Sequence, residues 1–218
     1  MNRGVIFDLD NTLYLLQSPD GSFARSRLNA ALQANARQFL RLRLGQNEQQ
    51  VEALMRRAHH YGGLSLAVEQ LFGVSRYDWF AIVWDMDPRH YITSPGTALA
   101  SRLAPLAERS LVLTSGPAVW ATRALQYLGV RELFGDRLMT GEPDVRKPQA
   151  AAFLAAAAQL GREPSDLVSV GDTNASDILP ARKLGMRTII VGPEIRDAHF
   201  RDSTVFGAID RILSWEAA

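Results

Sequence analysis

Short runs of nearly unbroken apolar residues recur along the chain: "VIFD" at 5–8, "LVLT" at 111–114, "LVSV" at 167–170 and "TIIV" at 188–191. A weaker run, "RLMT", stands at 137–140. Strands without polar alternation are those covered on both faces, as in parallel sheets. Helical patterns lie between them. "PAVWATRALQYLGV" (117–130) opens with a proline suited to a first helical turn and closes at Gly129, a plausible C-cap. "PQAAAFLAAAAQLG" (148–161) is strongly helix-forming and again ends in glycine. "SDILPARKLGM" (176–186) is a third helix, with Pro180 limiting where its first turn can lie. Alternation of strand and helix predicts a doubly wound, Rossmann-like α/β sheet.

The stretch between the first two apolar runs breaks this rhythm. "NEQQVEALMRRAHH" (47–60) begins with a capping-box pattern, Asn47 with Gln50, and "SRYDWFAIVW" (75–84) begins similarly with Ser75 and Asp78. Residues 23–44 carry Leu28, Leu32, Phe39 and Leu40 among polar positions. The pattern predicts a catalytic core of residues 1–15 and 95–218, with residues 16–94 inserted as an α-helical cap. Hinges are expected at 15–21 and 93–96. An insertion after the first strand sits over the carboxyl ends of the sheet, where α/β folds bind ligands.

Composition narrows the function. The net charge of +1 favours neither nucleic acid nor an anionic membrane. There is no cysteine, which excludes disulfides, thiolate metal sites and thiol catalysis and fits a reducing compartment. No apolar run is long enough to span a bilayer. The opening "MNRGVIFDLD" ends in acids rather than in a cleavage site, so a cytoplasmic protein is expected. Nearly all the basic residues are arginine; the two lysines are Lys147 and Lys183.

The strand ends hold the candidate chemistry. The first delivers Asp8 and Asp10, with Thr12 just beyond; the second delivers Thr114, Ser115 and Gly116 before a helix. "DVRKP" supplies Lys147, and "LVSVGDTNASD" supplies Asp172 and Asp177. In a parallel sheet these groups collect at one edge. Two carboxylates one residue apart disfavour each other's ionised form, so a cation is the natural compensation. Hard oxygen ligands without His or Cys suit Mg²⁺. A helix start with hydroxyls and a lysine suits a dianionic phosphate. Taken singly, each has a blander reading: Asp8 and Asp10 as a turn, Thr114 and Ser115 as helix caps, Lys147 and Lys183 as surface charges, Asp177 as a helix-start acid.

Taken together, they resemble the haloacid dehalogenase superfamily of aspartate-nucleophile hydrolases. Its four motifs stand here as Asp8-Leu9-Asp10-Asn11-Thr12, Thr114, Lys147, and Gly171-Asp172 with Asp177. The resemblance implies an aspartyl-phosphate formed on Asp8, with Asp10 as acid and then base. It implies Mg²⁺ held by the Asp8 carboxylate, the Asp10 main-chain carbonyl and Asp172, with Asp177 in support. Thr114, the Ser115 N–H and Lys147 would hold the phosphoryl oxygens.

An acid at position 10 favours phosphomonoesters over haloacids, and residues 16–94 lack the lysine that phosphonate hydrolysis would need. "FDLDNTLY" and the stretches "YGGLSLAVEQLFGV" and "WDMDPRHY" are similar to the pyrimidine 5′-nucleotidase-like branch, although Thr-Ser-Gly replaces the commoner Thr-Asn-Gly and "TSPGTAL" a more acidic stretch. In the cap, Arg25, Arg27, Arg56 and Arg57 could meet a charged substrate, His59, His60 and His90 a leaving group, and Tyr61, Trp79 and Trp84 a base. For each, a solvated helix face or a core position is the simpler reading. The expectation is a Mg²⁺-dependent phosphatase, monomeric or homodimeric, acting on a small phosphomonoester such as a nucleoside monophosphate. The alternatives are a phosphomutase, a dehalogenase-like hydrolase, or a regulatory protein that keeps the fold without turnover.

Overall fold

The computed structural model describes residues 2–193 and 196–217. Its strands in chain order are β1 (Gly4–Phe7), β2 (Leu15–Leu16), β3 (Ile92–Thr93), β4 (Ser110–Leu113), β5 (Leu138–Met139), β6 (Leu167–Gly171), β7 (Arg187–Val191) and β8 (Phe200–Asp202). Six of them form one sheet in the order β5-β4-β1-β6-β7-β8, and every pairing in it is parallel. The three central strands, β4, β1 and β6, are buried at every residue, which accounts for their lack of polar alternation. The run at 137–140 contributes only the two residues of β5. The edge strand β8 is a short, half-exposed segment with no apolar run to mark it.

Register decides where the chemistry falls. Phe7 stands opposite Val112 on one side and Val170 on the other. The three central strands therefore end together, and Asp8, Thr114 and Asp172 emerge at one edge. The chain also reverses its direction of travel here. It leaves β1 for β4 and β5, then returns to β6 on the other side, creating the crevice in which such sheets bind ligands.

Between β1 and β4 lie helices α1 (Arg27–Leu42), α2 (Glu48–Arg57), α3 (Leu64–Phe72) and α4 (Arg76–Val83). Ser26 caps α1 by accepting from the Asn29 N–H, and Asn47 and Gln50 make the reciprocal capping box on α2. Ser75 caps α4, but its hydroxyl also donates to the Asp78 carboxylate, so no reciprocal box forms there. In α1 the buried residues are Leu28, Leu32, Ala36, Phe39 and Leu40, the spacing of a single helical face. At the two ends of this segment β2 and β3 pair antiparallel, Leu15 with Thr93 and Leu16 with Ile92. The two connections expected as hinges are thus joined into one short ribbon.

The remaining helices are α5 (Ala98–Leu103), α6 (Ala118–Tyr127), α7 (Arg131–Phe134), α8 (Ala150–Gln159), α9 (Leu179–Lys183) and α10 (Val205–Ala217). Side chains alternate across the sheet. Val5 and Phe7 join a cluster with Trp120 and Ala124 of α6 and Ile209 and Ile212 of α10. Ile6 points the other way, into a cluster with Phe153 and Ala156 of α8 and Ala181 of α9. Helices thus cover both faces, and the fold is a doubly wound α/β sheet. The first cluster continues through Leu13, Tyr14 and Leu16 into Leu28 and Leu32.

The segment 176–186 departs from the expected single helix. A wide, π-type turn spans Asn174–Ile178, and the α-helix proper starts only at Leu179. Pro180 has no N–H and fits only the start of an α-helix, which sets that boundary. Lys183 is the exposed last residue of α9, as a surface charge should be. Among the described residues, no helix is long and apolar enough to cross a membrane.

Candidate active site

Asp8 follows the last residue of β1 and continues its ladder, donating its N–H to the Val170 carbonyl at 2.8 Å. Its carboxylate is held from both sides. Oδ1 accepts from Lys147 Nζ at 2.5 Å and Oδ2 accepts from the Thr12 hydroxyl at 2.8 Å. Lys147 is almost wholly buried, and its ammonium also donates to Asp177 Oδ1 at 2.6 Å. Asp177 is therefore more than a helix-start acid. Its second oxygen accepts from the Thr173 N–H at 2.9 Å, and its main-chain carbonyl accepts from the buried Ser169 hydroxyl at 3.0 Å. Gly171 is required for this approach, because a Cβ there would lie 2.4 Å from the Cβ of Asp177. Asp172 completes the acidic edge, with Thr173 Oγ1 donating to it at 3.0 Å.

Oxygens of Asp8, Asp172 and Asp177 lie within 4.8 Å of one another. Burial raises Asp8 well above the usual carboxylate range; Lys147 opposes this, and the neighbouring Asp177 and Asp172 reinforce it. Asp172 is pushed up to about 6, again by burial first and then by Asp177. Burial alone would lower Lys147, but the carboxylates of Asp8 and Asp177 more than reverse this and hold it protonated. Three acids share a single ammonium. The donor set is all oxygen with no nitrogen or sulfur, and it fits a small hard cation such as Mg²⁺.

Asp10 is placed differently. Its side chain is outside the acidic trio and accepts on Oδ1 from the Tyr14 hydroxyl and from Trp120 Nε1, the latter at 3.1 Å. Trp120 Nε1 also lies 3.0 Å from the Tyr14 oxygen. Burial raises Asp10, while Tyr14, Trp120, Lys147 and Thr114 partly offset that rise. A carboxyl held by one oxygen, with its proton affinity raised, is suited to carrying a proton.

Thr114 is fully buried at the end of β4, and its hydroxyl accepts from the Gly116 N–H at 3.0 Å. Ser115 lies in the cleft itself. Neither caps α6. Pro117 takes that position without a side-chain bond, and the Ala118 N–H donates instead to the buried carboxylate of Glu142 at 2.9 Å. All the anticipated residues, Asp8, Asp10, Thr114, Ser115, Lys147, Asp172 and Asp177, thus gather at the carboxyl edge of the central strands. All of them but the buried Thr114 line a cleft of about 340 Å³.

Several contributors escaped the sequence reading. Asn11 has a left-handed backbone (φ 57°), which asparagine tolerates. Its side chain accepts from the Leu16 N–H and donates to the Gly21 carbonyl, each at 2.9 Å, tying the Asp8–Thr12 loop to the first connection. Arg76 of α4 is buried and donates to the carbonyls of Gly141, at 2.7 Å, and Glu142. Gly141 packs against the Ser115 backbone so closely that a Cβ would lie 1.9 Å from the Ser115 carbonyl oxygen. None of these contacts has a local sequence signature.

Of the aromatic candidates, Trp79 is buried, whereas Trp84 faces the cleft beside Phe23 and Leu16. Arg25, Arg27, Arg56, Arg57, His59, His60, His90 and Tyr61 do not line it.

The haloacid dehalogenase-like hydrolase family model matches residues 3–185, and the chain belongs to that family. It is 27% identical over 211 residues to a glyceraldehyde 3-phosphate phosphatase of Methanopyrus kandleri, covering 93% of this chain and 87% of that one. Among solved structures it resembles a HAD phosphatase from Thermococcus onnurineus (TM-score 0.65, 18% identity, 96% and 97% of the two chains covered). It also resembles a 2-haloacid dehalogenase from Pseudomonas syringae (TM-score 0.66, 20% identity, 99% and 100% covered). These two likenesses are of fold.

Proposed function

We propose that this chain is a Mg²⁺-dependent phosphatase that hydrolyses a small phosphomonoester through an aspartyl-phosphate on Asp8. The observation carrying this reading is the Asp8 carboxylate, 2.5 Å from Lys147 and within 4.8 Å of the oxygens of Asp172 and Asp177. The names of its curated relatives, glyceraldehyde 3-phosphate phosphatases, support it.

An oxygen of Asp8 attacks phosphorus, and the bond from phosphorus to the ester oxygen breaks. Asp10 delivers its proton to the departing alkoxide, which leaves as the alcohol. Water then attacks the aspartyl-phosphate and gives a proton to the Asp10 carboxylate, so inorganic phosphate leaves and both acids return to their starting states. Thr114, the Ser115 N–H and Lys147 hold the phosphoryl oxygens. Asp8, Asp172 and the Asp10 carbonyl would hold Mg²⁺, with Asp177 in support. Bound there, the ion supplies positive charge to the phosphoryl oxygens and relieves the crowding of the acids. Residues 16–94 act as the cap over residues 1–15 and 95–218, and the β2–β3 ribbon carries its movement. The protein works in the cytoplasm as a monomer or homodimer.

The test is phosphate release from glyceraldehyde 3-phosphate, nucleoside monophosphates and sugar phosphates, with and without Mg²⁺, using Asp8→Asn as the control. Metal-dependent release lost in the variant supports the reading. A folded, metal-loaded protein that releases phosphate from none of them overturns it.

A further inference from the structure

The cleft has two chemically distinct sides. The phosphate side holds Lys147 and the four aspartates. The apolar part of its lining is Leu16, Phe23 and Trp84. Phe23 and Trp84 lie nearly parallel, with centroids 6.4 Å apart and planes at 13°. Trp84 is held edge-on against Trp120, the residue that bonds Asp10, and against Phe80. Among the described residues, Lys147 is the one cation lining the cleft, and both its anionic neighbours are already paired with it.

The nearby arginines are engaged elsewhere. Arg25 pairs with Asp20 at 3.2 Å, Arg37 with Glu52 at 2.7 Å and Arg123 with Asp85. Arg27 donates to Gln17 at 3.0 Å, and Arg76 is spent on the Gly141 and Glu142 carbonyls. Arg56 opens onto a separate cavity of about 560 Å³ among α1–α4, which shares only Phe23 and Trp84 with the cleft.

Resting on the phosphatase reading above, we propose that Phe23, Trp84 and Leu16 read the alcohol half of the substrate, and that the enzyme takes phosphomonoesters whose leaving group carries no second anion. An uncharged carbon skeleton or ring gains from packing on this wall. A carboxylate or second phosphate there would lose its hydration and find no second cation in a cleft that already holds four aspartates. The aromatic pair also separates the cleft from the larger cavity, so it limits the length of the leaving group.

The experiment compares matched substrates that differ by one carboxylate: glyceraldehyde 3-phosphate with 3-phosphoglycerate, and phenyl phosphate with 4-carboxyphenyl phosphate. The neutral member of each pair is expected to have kcat/KM higher by about tenfold or more, since an unpaired desolvated charge is costly. Phe23 is half-exposed in a loop, so its replacement leaves the core intact. Phe23→Arg should narrow the ratio by raising turnover of the acidic member, and Phe23→Ala should raise KM for phenyl phosphate with little change in kcat. Equal turnover of the pair members, a preference for the acidic ones, or a ratio unmoved by Phe23→Arg would overturn this assignment while leaving phosphatase activity standing. Release from none of the four overturns this assignment, and the phosphatase reading falls with it only if the nucleoside monophosphates and sugar phosphates also yield none.

Discussion

Lys147 and Asp177 have almost wholly buried side chains, and they meet at 2.6 Å, with the same ammonium 2.5 Å from Asp8. They come from separate loops, one before α8 and one in the turn before α9. Their union pins the two carboxyl-edge loops to the end of β1. It also leaves one positive charge to serve three acids, and the expected behaviour of several variants follows from that shortage.

Lys147→Met should remove turnover and cost about 3–5 kcal/mol, the usual consequence of stranding a buried partner. Mg²⁺ should recover more stability in this variant than in the parent, because the ion then replaces the missing charge. Urea unfolding with Mg²⁺ and with a chelator measures both. Equal recovery in the two proteins would place the cation elsewhere.

Tyr14 and Trp120 both donate to Asp10 Oδ1. Tyr14→Phe should lower kcat by roughly 10–100-fold with KM nearly unchanged, because proton transfer by a positioned acid contributes about 10²–10⁴-fold and losing one of the two donors that position Asp10 forfeits part of it. Steady-state kinetics on phenyl phosphate decides this. A variant that changes only KM would mean the tyrosine meets substrate rather than Asp10.

Gly171→Ala puts a methyl group 2.4 Å from the Asp177 Cβ. Strand and loop cannot both keep their places, so a loss of about 1–3 kcal/mol is expected, together with a fall in Mg²⁺ affinity. Thermal unfolding and a metal titration test the two parts separately. Gly129→Ala serves as the comparison. It is strained by its φ of 69° but meets nothing within 4 Å, so its metal affinity should stay at the parent level.

Arg76→Met should leave the carbonyls of Gly141 and Glu142 without their donors, a loss of about 1–3 kcal/mol. Because Gly141 lies against Ser115, phosphate affinity is expected to weaken as well. Inhibition by inorganic phosphate reports on this directly; an unchanged inhibition constant would confine Arg76 to stability.

His199 gives a pH signature away from the site. Its Nδ1 accepts from the Thr188 N–H at 3.2 Å and pairs with the Thr188 hydroxyl at 2.9 Å, which requires that nitrogen unprotonated. Burial, followed by Arg182 and Arg187, lowers its pKa below the ordinary value of 6.5. Its contribution to stability is therefore complete above that value and is lost as pH falls from 6.5 through the lower, folded value. His199→Asn should flatten the stability profile in that window, as read from urea midpoints at neutral and mildly acidic pH.

The sequence alone determined the central sheet and the inventory of the site. β1, β4, β6 and β7 are legible because strands covered on both faces need continuous apolar residues. Asp8, Thr114, Lys147 and Asp172 are legible because each stands immediately after such a strand or before a helix, and register does the rest. β8 was not legible, since an edge strand of three half-exposed residues has no such requirement, and α10 carries Gly207 in its first turns. The structure alone decided who touches whom. The grip of Trp120 on Asp10, the docking of Arg76 on Gly141, the carboxylate of Glu142 at the start of α6 and the choice of Trp84 over Trp79 for the cleft join residues distant in sequence. Apolar periodicity tells which side chains turn inward, but only the packing of one element on another tells what they meet there.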